Sequence, residues 1–196
     1  MMTEDDMRLR GSEKTRYHQI KDRGVKLPRH ITPALLQRTG MDVEFATIFH
    51  EVGWENFCEI DEPGCVLLTF QFLCSLQMFS YKVTFKLFSR DFSLTWKQLS
   101  SYLGFRDECV VDIDSVIPDF SRESFWAEIS GERGVDHPHV DAIELPTFRF
   151  IHLWMAISMF PRKDTRFVRI EEMKLMLCMI RRIKVSPVQF MMDHWL

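Results

Sequence analysis

Apolar and polar residues alternate with period two from Tyr81 to Leu87: Tyr81, Val83, Phe85 and Leu87 on one side, Lys82, Thr84 and Lys86 on the other. That alternation predicts a half-buried strand. Ser89, Arg90 and Asp91 are residues that turn a chain, and Phe92 and Leu94 make a short return strand. Thr95 and Gln98 have the spacing of a capping box, and Leu94 and Leu99 that of a hydrophobic staple. Gly104 suits the left-handed residue that ends a helix, with Phe105 folding back on Leu99. Hairpin, cap, short helix and stop are all encoded locally in residues 81–105.

Elsewhere the period lengthens to that of helices. Thr32-Pro33 reads as a cap followed by proline in the first turn of a helix that runs to about Thr39 and stops at Gly40. After Asp42, the residues Phe45, Ile48, Phe49 and Val52 form one apolar stripe, ended by Gly53, with Trp54 and Phe57 as core residues beyond it. Pro63-Gly64 punctuates the chain, and residues 65–79 are apolar on nearly every side, which predicts a buried helix. An acidic connector spans Asp107 to Asp119; Ser121 then caps a helix whose buried face is Phe125, Trp126 and Ile129 and whose stop is Gly131. Residues 131–141 read as a polar loop, and Pro146 opens a strongly apolar helix that Pro161 ends. A long helix starts at Ile170, with Met173, Met176, Leu177, Ile180 and Ile183 on the same arc, and Pro187 begins a last turn or two.

These elements predict an α+β, mainly α-helical domain with one small two-stranded β-hairpin. A hairpin alone is marginal, so Val83, Phe85 and Leu87 are expected to bury against the 146–160 helix or its neighbours. Residues 1–30 mix charges without apolar periodicity and predict a flexible tail, leaving 31–196 as a single domain. The apolar ending Trp195-Leu196 suggests a boundary cut through a longer domain. A chain of 196 residues, 46% apolar and 13% aromatic, has the material for a sizeable core.

Net charge is only −3, but its distribution is uneven. Residues 1–31 carry eight Lys/Arg and five Asp/Glu, and residues 162–184 carry eight and three, so the rest sums to −11. Basic flanks around an acidic centre are either solvated faces or a surface for nucleic acid; the candidate contacts are Arg162, Lys163, Arg166, Arg169, Arg181 and Arg182. The five cysteines are odd in number, lack zinc-site spacing and sit mostly among apolar residues, which predicts free thiols in a reducing compartment. With no secretory leader and no run long enough to span a membrane, an intracellular protein, cytoplasmic or nuclear, is expected.

Candidate chemistry is sparse. His137-Pro138-His139, with Asp136 and Asp141 beside it, is the one local cluster of metal-ligand types, and it lacks a third and fourth ligand. No glycine-rich phosphate loop or nucleophile elbow occurs, and the Met-rich stretch 173–179 reads as core before it reads as a partner-binding face. These absences predict a protein that is not an enzyme and needs no cofactor. His152 is the residue most able to overturn that, through a carboxylate such as Glu128 or Asp141 within about 3.2 Å of one ring nitrogen, the other facing a pocket.

Three stretches taken in order carry a resemblance: VGWENF (52–57), TFKLFSRDFSLTWKQLSSYLGF (84–105), and FRFIHLWMAISMFPRKD (148–164) followed by an amphipathic helix. With the Phe125-Trp126 pair between them, they resemble the first open reading frame product of the Athila group of plant retrotransposons and the related plant transposon-protein domains. The plant mobile domain called aminotransferase-like shares a comparable hairpin and Leu-Gly helix end. The resemblance covers about residues 40–185 and implies a Gag-position structural or protein-interaction protein of a long-terminal-repeat element, with no catalytic residues to carry over. Its implied partners are other copies of itself, or RNA or DNA through the basic flanks. The chain departs from the family in being shorter than its usual products and in having no Cys-x-x-Cys knuckle, which suits a degenerate genomic copy.

Overall fold

The computed structural model describes residues 9–23, 33–60 and 64–196. Helix α1 (Ser12–Ile20) runs into a short 3₁₀ turn, Lys21–Arg23. Then follow α2 (Pro33–Thr39), α3 (Asp42–Val52), α4 (Glu55–Cys58) and α5 (Val66–Ser75). A small antiparallel sheet comes next, β1 (Gln77–Met78), β2 (Lys82–Leu87) and β3 (Arg90–Thr95), in that spatial order. The second half is helical: α6 (Trp96–Tyr102), α7 (Ile113–Val116), α8 (Arg122–Ser130), α9 (Pro146–Trp154), α10 (Ile170–Ile180) and α11 (Val188–Trp195). The domain is mainly helical with a small β part, as the periodicities predict.

Local signals acted where they were written. The stripe of α3 is buried at all four positions, and Gly53 closes that helix at φ 80°. A side chain there would be strained and would also strike the Cys109 sulfur, since an added Cβ comes within 2.7 Å of it. Thr95 and Gln98 form both bonds of the capping box, and Ser121 accepts from the Ser124 amide at 3.3 Å. The expected cap at Thr32 and the turn at Pro63 lie outside the described residues.

Two expectations are corrected. First, the sheet has three strands, because Gln77 and Met78 pair with Thr84 and Val83. Second, the cover over the hairpin is α5: Val83 and Phe85 are buried, Leu87 is half-buried, and Phe72 of α5 meets the Phe85 ring edge-on at 5.0 Å. The register pairs Leu87 with Arg90, so the turn is Phe88-Ser89 and Arg90 and Asp91 belong to β3. Phe88 and Ser89 take φ values of 50° and 63°, the backbone of a two-residue turn that matches strand twist. Within the stretch expected to be a flexible tail, residues 12–20 form α1. Leu9 and Tyr17 are buried, and the Tyr17 ring meets Phe70 edge-on at 5.6 Å. Residues 1–8 and 24–30 of that stretch lie outside the described residues.

One continuous core runs from Leu36 to Met192, with Trp54 at its aromatic centre against Phe49, Phe105 and Trp154. The Trp54 indole N–H donates to the Val185 carbonyl at 2.6 Å, which ties the turn after α3 to the chain after α10. Helix α10 buries Met173, Leu175, Met176, Cys178 and Met179, a wider face than the predicted arc, while Ile170 is 43% exposed. The Met-rich stretch is core.

Candidate functional site

Helix α9 widens at its end into a π turn over Met155–Met159, in which the Phe160 amide donates to the Met155 carbonyl at 2.8 Å. Pro161 breaks the run, and the chain returns so that Arg162 lies over His152, one turn before the widening. The next helix begins at Ile170, and its third residue, Glu172, points inward. Sequence distance hides this meeting, because the three side chains belong to a helix, a loop and a second helix.

Glu172 is the hub. His152 Nε2 lies 3.1 Å from Glu172 Oε2. Arg162 grips the same carboxylate with both terminal nitrogens, Nη1 on Oε1 and Nη2 on Oε2, the second at 2.9 Å. The Arg169 amide also donates to Oε2 at 2.9 Å, so Glu172 caps its own helix. Arg162 completes its bonds to the Phe167 carbonyl and the Asp164 carbonyl, each at 2.9 Å. His152 and Glu172 have no solvent-exposed surface, and the Arg162 side chain is 8% exposed. Burial raises the Glu172 pKa, but hydrogen bonds from His152 and Arg162 outweigh it and hold the carboxyl below its ordinary value. An ionised carboxylate accepts, so Nε2 of His152 carries the proton.

The carboxylate that orients His152 is therefore Glu172, not Glu128 or Asp141. Glu128 pairs with Arg181, and Asp141 lies 3.3 Å from His139. The second condition for a general base is not met, because Nδ1 of His152 is buried and faces no opening. A shallow surface depression lined by Thr95, Lys97, Gln98, Ser101 and Asp107 contains none of the three residues. The sequence reading missed Glu172; the one signal that marks it is its place as third residue of a helix apolar on almost every side.

The basic flank is neutralised by the acidic centre. Lys174 meets Asp114 at 2.5 Å, Arg181 meets Glu128 at 2.8 Å, Arg182 meets Glu51 at 3.1 Å, and Lys184 meets Glu108 at 2.8 Å. Arg166 forks onto Asp164, whose carboxyl those hydrogen bonds hold well below the usual range. Arg169 reaches His194 Nδ1 at 3.3 Å, and Lys163 is exposed. Of the six candidate nucleic-acid contacts, Arg162 is thus inside the domain, Arg166, Arg181 and Arg182 are in ion pairs, and Arg169 sits against a histidine.

The histidine loop and the basic loop meet as well. The Val140 amide donates to the Arg166 carbonyl at 2.8 Å and the Val168 amide to the Pro138 carbonyl at 2.9 Å. His137 and His139 both set their rings edge-on to Phe167. Among the described residues, no group of three or more His, Cys, Asp or Glu side chains is placed to hold a metal ion. All five cysteines are free; burial pushes Cys74 and Cys109 up to about 11 and Cys178 to about 12, which makes them poor nucleophiles. No helix among the described residues is long and apolar enough to cross a membrane.

The stretches that carry the family resemblance turn out to be the ones that close the core: Gly53 and Trp54, Phe85, Phe125 and Trp126, and His152 with Arg162. The sequence profile of the ATHILA ORF-1 family matches residues 9–183. Neither the curated proteins nor the solved structures gave a match. With its profile running from Leu9, buried just before α1, to just past the end of α10, this chain belongs to the ATHILA ORF-1 family.

Proposed function

We propose that this retrotransposon-derived chain is a non-enzymatic, Gag-position structural protein that works by associating with other copies of itself. The observation that supports this reading is where the family's signature residues lie. Trp54, Phe85, Phe125, Trp126, His152 and Arg162 are all enclosed and hold elements together, and none of them lines an opening in which a substrate could be turned over. The polar constellation most like a catalytic one serves to fasten α9, the following loop and α10. Binding nucleic acid through the basic flank draws less support, since its cations face carboxylates of the same chain.

The test is sedimentation. A tagged copy expressed in plant cells with the rest of its element should co-sediment with element RNA in a particle fraction. A chain that stays a slow-sedimenting monomer in those cells overturns the reading. A purified chain with substrate turnover abolished by His152→Asn but retained by a folded surface variant overturns the non-enzymatic part.

A further inference from the structure

We propose that the open face of the hairpin sheet binds single-stranded nucleic acid, with the Phe88 ring at the hairpin tip as a stacking platform. This surface lies apart from the 162–184 flank, and the inference stands independently of the self-association reading above.

The face follows from the register. Lys82, Thr84 and Lys86 of β2 stand opposite Thr95, Ser93 and Asp91 of β3, and Gln77 of β1 stands opposite Thr84. The pleat turns these positions away from the buried Val83 and Phe85, and none of them is itself buried. Tyr81, 65% exposed, lies just before β2, and Phe88, 66% exposed, just after it. Strand rise sets the two rings about 20 Å apart. Beyond Thr95 the face runs into the depression lined by Lys97, Gln98 and Ser101.

The tip position strains Phe88. With Ser89 it forms a two-residue turn, at φ 50° and 63°, of the kind that asparagine and glycine fill most easily. A phenylalanine is disfavoured in that region, and with two-thirds of its surface in solvent the ring gains little from packing. Helix α5 holds the turn in place. The Gln71 side chain, 6% exposed, accepts from the Phe88 amide at 3.0 Å, and Ser75 Oγ accepts from the Lys86 amide at 2.8 Å. Strain enforced by the surroundings on an outward-facing side chain points to a role outside the fold.

Charge selects the occupant. Residues 9–22 and 64–98, which span α1, α5, the sheet and the start of α6, carry eight Lys/Arg and three Asp/Glu in a chain whose net charge is −3. Lys86 is taken by Glu13, but Lys82, Arg90 and Lys97 have no ion-pair partner among the described residues. Lys82 Nζ instead lies over the Phe79 and Tyr81 rings, at 5.7 and 5.5 Å. The 162–184 flank differs, because most of its cations are already paired. Asp91 on the face and Asp107 in the depression are the carboxylates that oppose a polyanion here. Unpaired cations and exposed rings spread along a track, with hydroxyls between them, suit a strand of nucleotides better than one apolar partner. Phosphates would meet Lys82, Arg90 and Lys97, and bases would stack on Phe88 and Tyr81.

The test is fluorescence anisotropy of the purified full-length chain with a labelled, mixed-sequence RNA of about 15 nucleotides. The single strand should bind at low salt, and more tightly than a duplex of the same length. Phe88→Gly should weaken binding about tenfold although the unfolding midpoint does not fall, and Phe88→Tyr should bind like the parent chain. Lys82→Glu with Arg90→Glu should also weaken binding and flatten the slope of log affinity against log salt by about 1.4. Lys163→Ala with Arg181→Ala, on the other flank, should leave binding unchanged. No saturable binding at low salt, equal affinity for the duplex, or unchanged affinity in Phe88→Gly overturns the proposal. A larger loss from the 163/181 variant than from the hairpin variants overturns it as well. Capture of the chain by phosphatidylserine vesicles, dependent on Phe88 and with no binding of RNA, would assign the tip to a membrane surface and likewise overturn it.

Discussion

Around α10 nearly every direction meets protein: Met173, Leu175, Met176 and Cys178 have no exposed surface, and Glu172 is locked by a histidine, an arginine and a backbone amide. On α1 only Tyr17 is buried, and its contacts with the body include an ion pair from Glu13 to Lys86 and a bond from Arg16 to the Leu76 carbonyl. The hairpin lies between these extremes, with β2 buried on one face beneath α5 and β3 exposed along most of its length. The contrast shows how unevenly a 196-residue chain can distribute burial between a central helix and a peripheral one. Rigidity follows from the number of groups that must be exposed together, and independence from a contact set small enough to open alone.

The largest effect should come from breaking the body at its charged hub. Arg162→Met leaves the Glu172 carboxylate buried without its fork, and urea unfolding at neutral pH should show a loss of about 3–5 kcal/mol. Replacing Arg162 and Glu172 together with methionine should recover much of that loss, because no unpaired charge remains. A loss below about 1 kcal/mol for the single variant would place the body's strength elsewhere. The same hub sets an acid limit. The Glu172 carboxyl is depressed in the fold, so its contribution is full above its unfolded value near 4.5 and is lost as pH falls through the folded value. Stability should therefore fall on acidification below about pH 4.5, and Glu172→Gln should fall less steeply over that range although it is weaker at neutral pH.

Next in size is the hairpin. Phe85 is 8% exposed and touches Phe72 and Phe92, so Phe85→Ala should cost about 3 kcal/mol in the same unfolding assay. A negligible cost would mean that α5 does not hold the sheet. Tyr17→Ala should lower global stability by under about 1 kcal/mol while amide exchange across Ser12–Ile20 accelerates and that of α10 does not. Equal acceleration in both helices would erase the distinction between α1 and α10. The smallest effect should be a gain. Phe88 sits at φ 50° with an exposed side chain, where glycine carries no backbone penalty, and Phe88→Gly should raise the unfolding midpoint by the equivalent of about 0.5–1 kcal/mol.

Much of the secondary structure could be read locally. The stripe of α3, the Thr95 capping box, the Ser121 cap and the glycine stops at Gly53 and Gly131 each depend on residues within a few positions of one another, and each formed where the sequence placed it. Local reading failed where the partner is remote. Residues 9–23 show no apolar period, because Leu9 and Tyr17 are the two that bury, and they do so only against the distant Phe70 and Cys74. Gln77 and Met78 became a strand only because the edge of β2 was there to pair with.

The site divides in the same way. From the sequence alone came the family resemblance, the helical class, the isolation of His152 on an apolar helix and the uneven charge. The tertiary structure alone decided that His152 meets Glu172 and Arg162, and that the basic flank faces Glu51, Glu108, Asp114 and Glu128. The physical reason is reach. Propensity, capping and periodicity act over one or two turns of chain. A salt bridge or a buried hub depends on which distant carboxylate the packed core delivers to within 3–4 Å, and no local spacing encodes that.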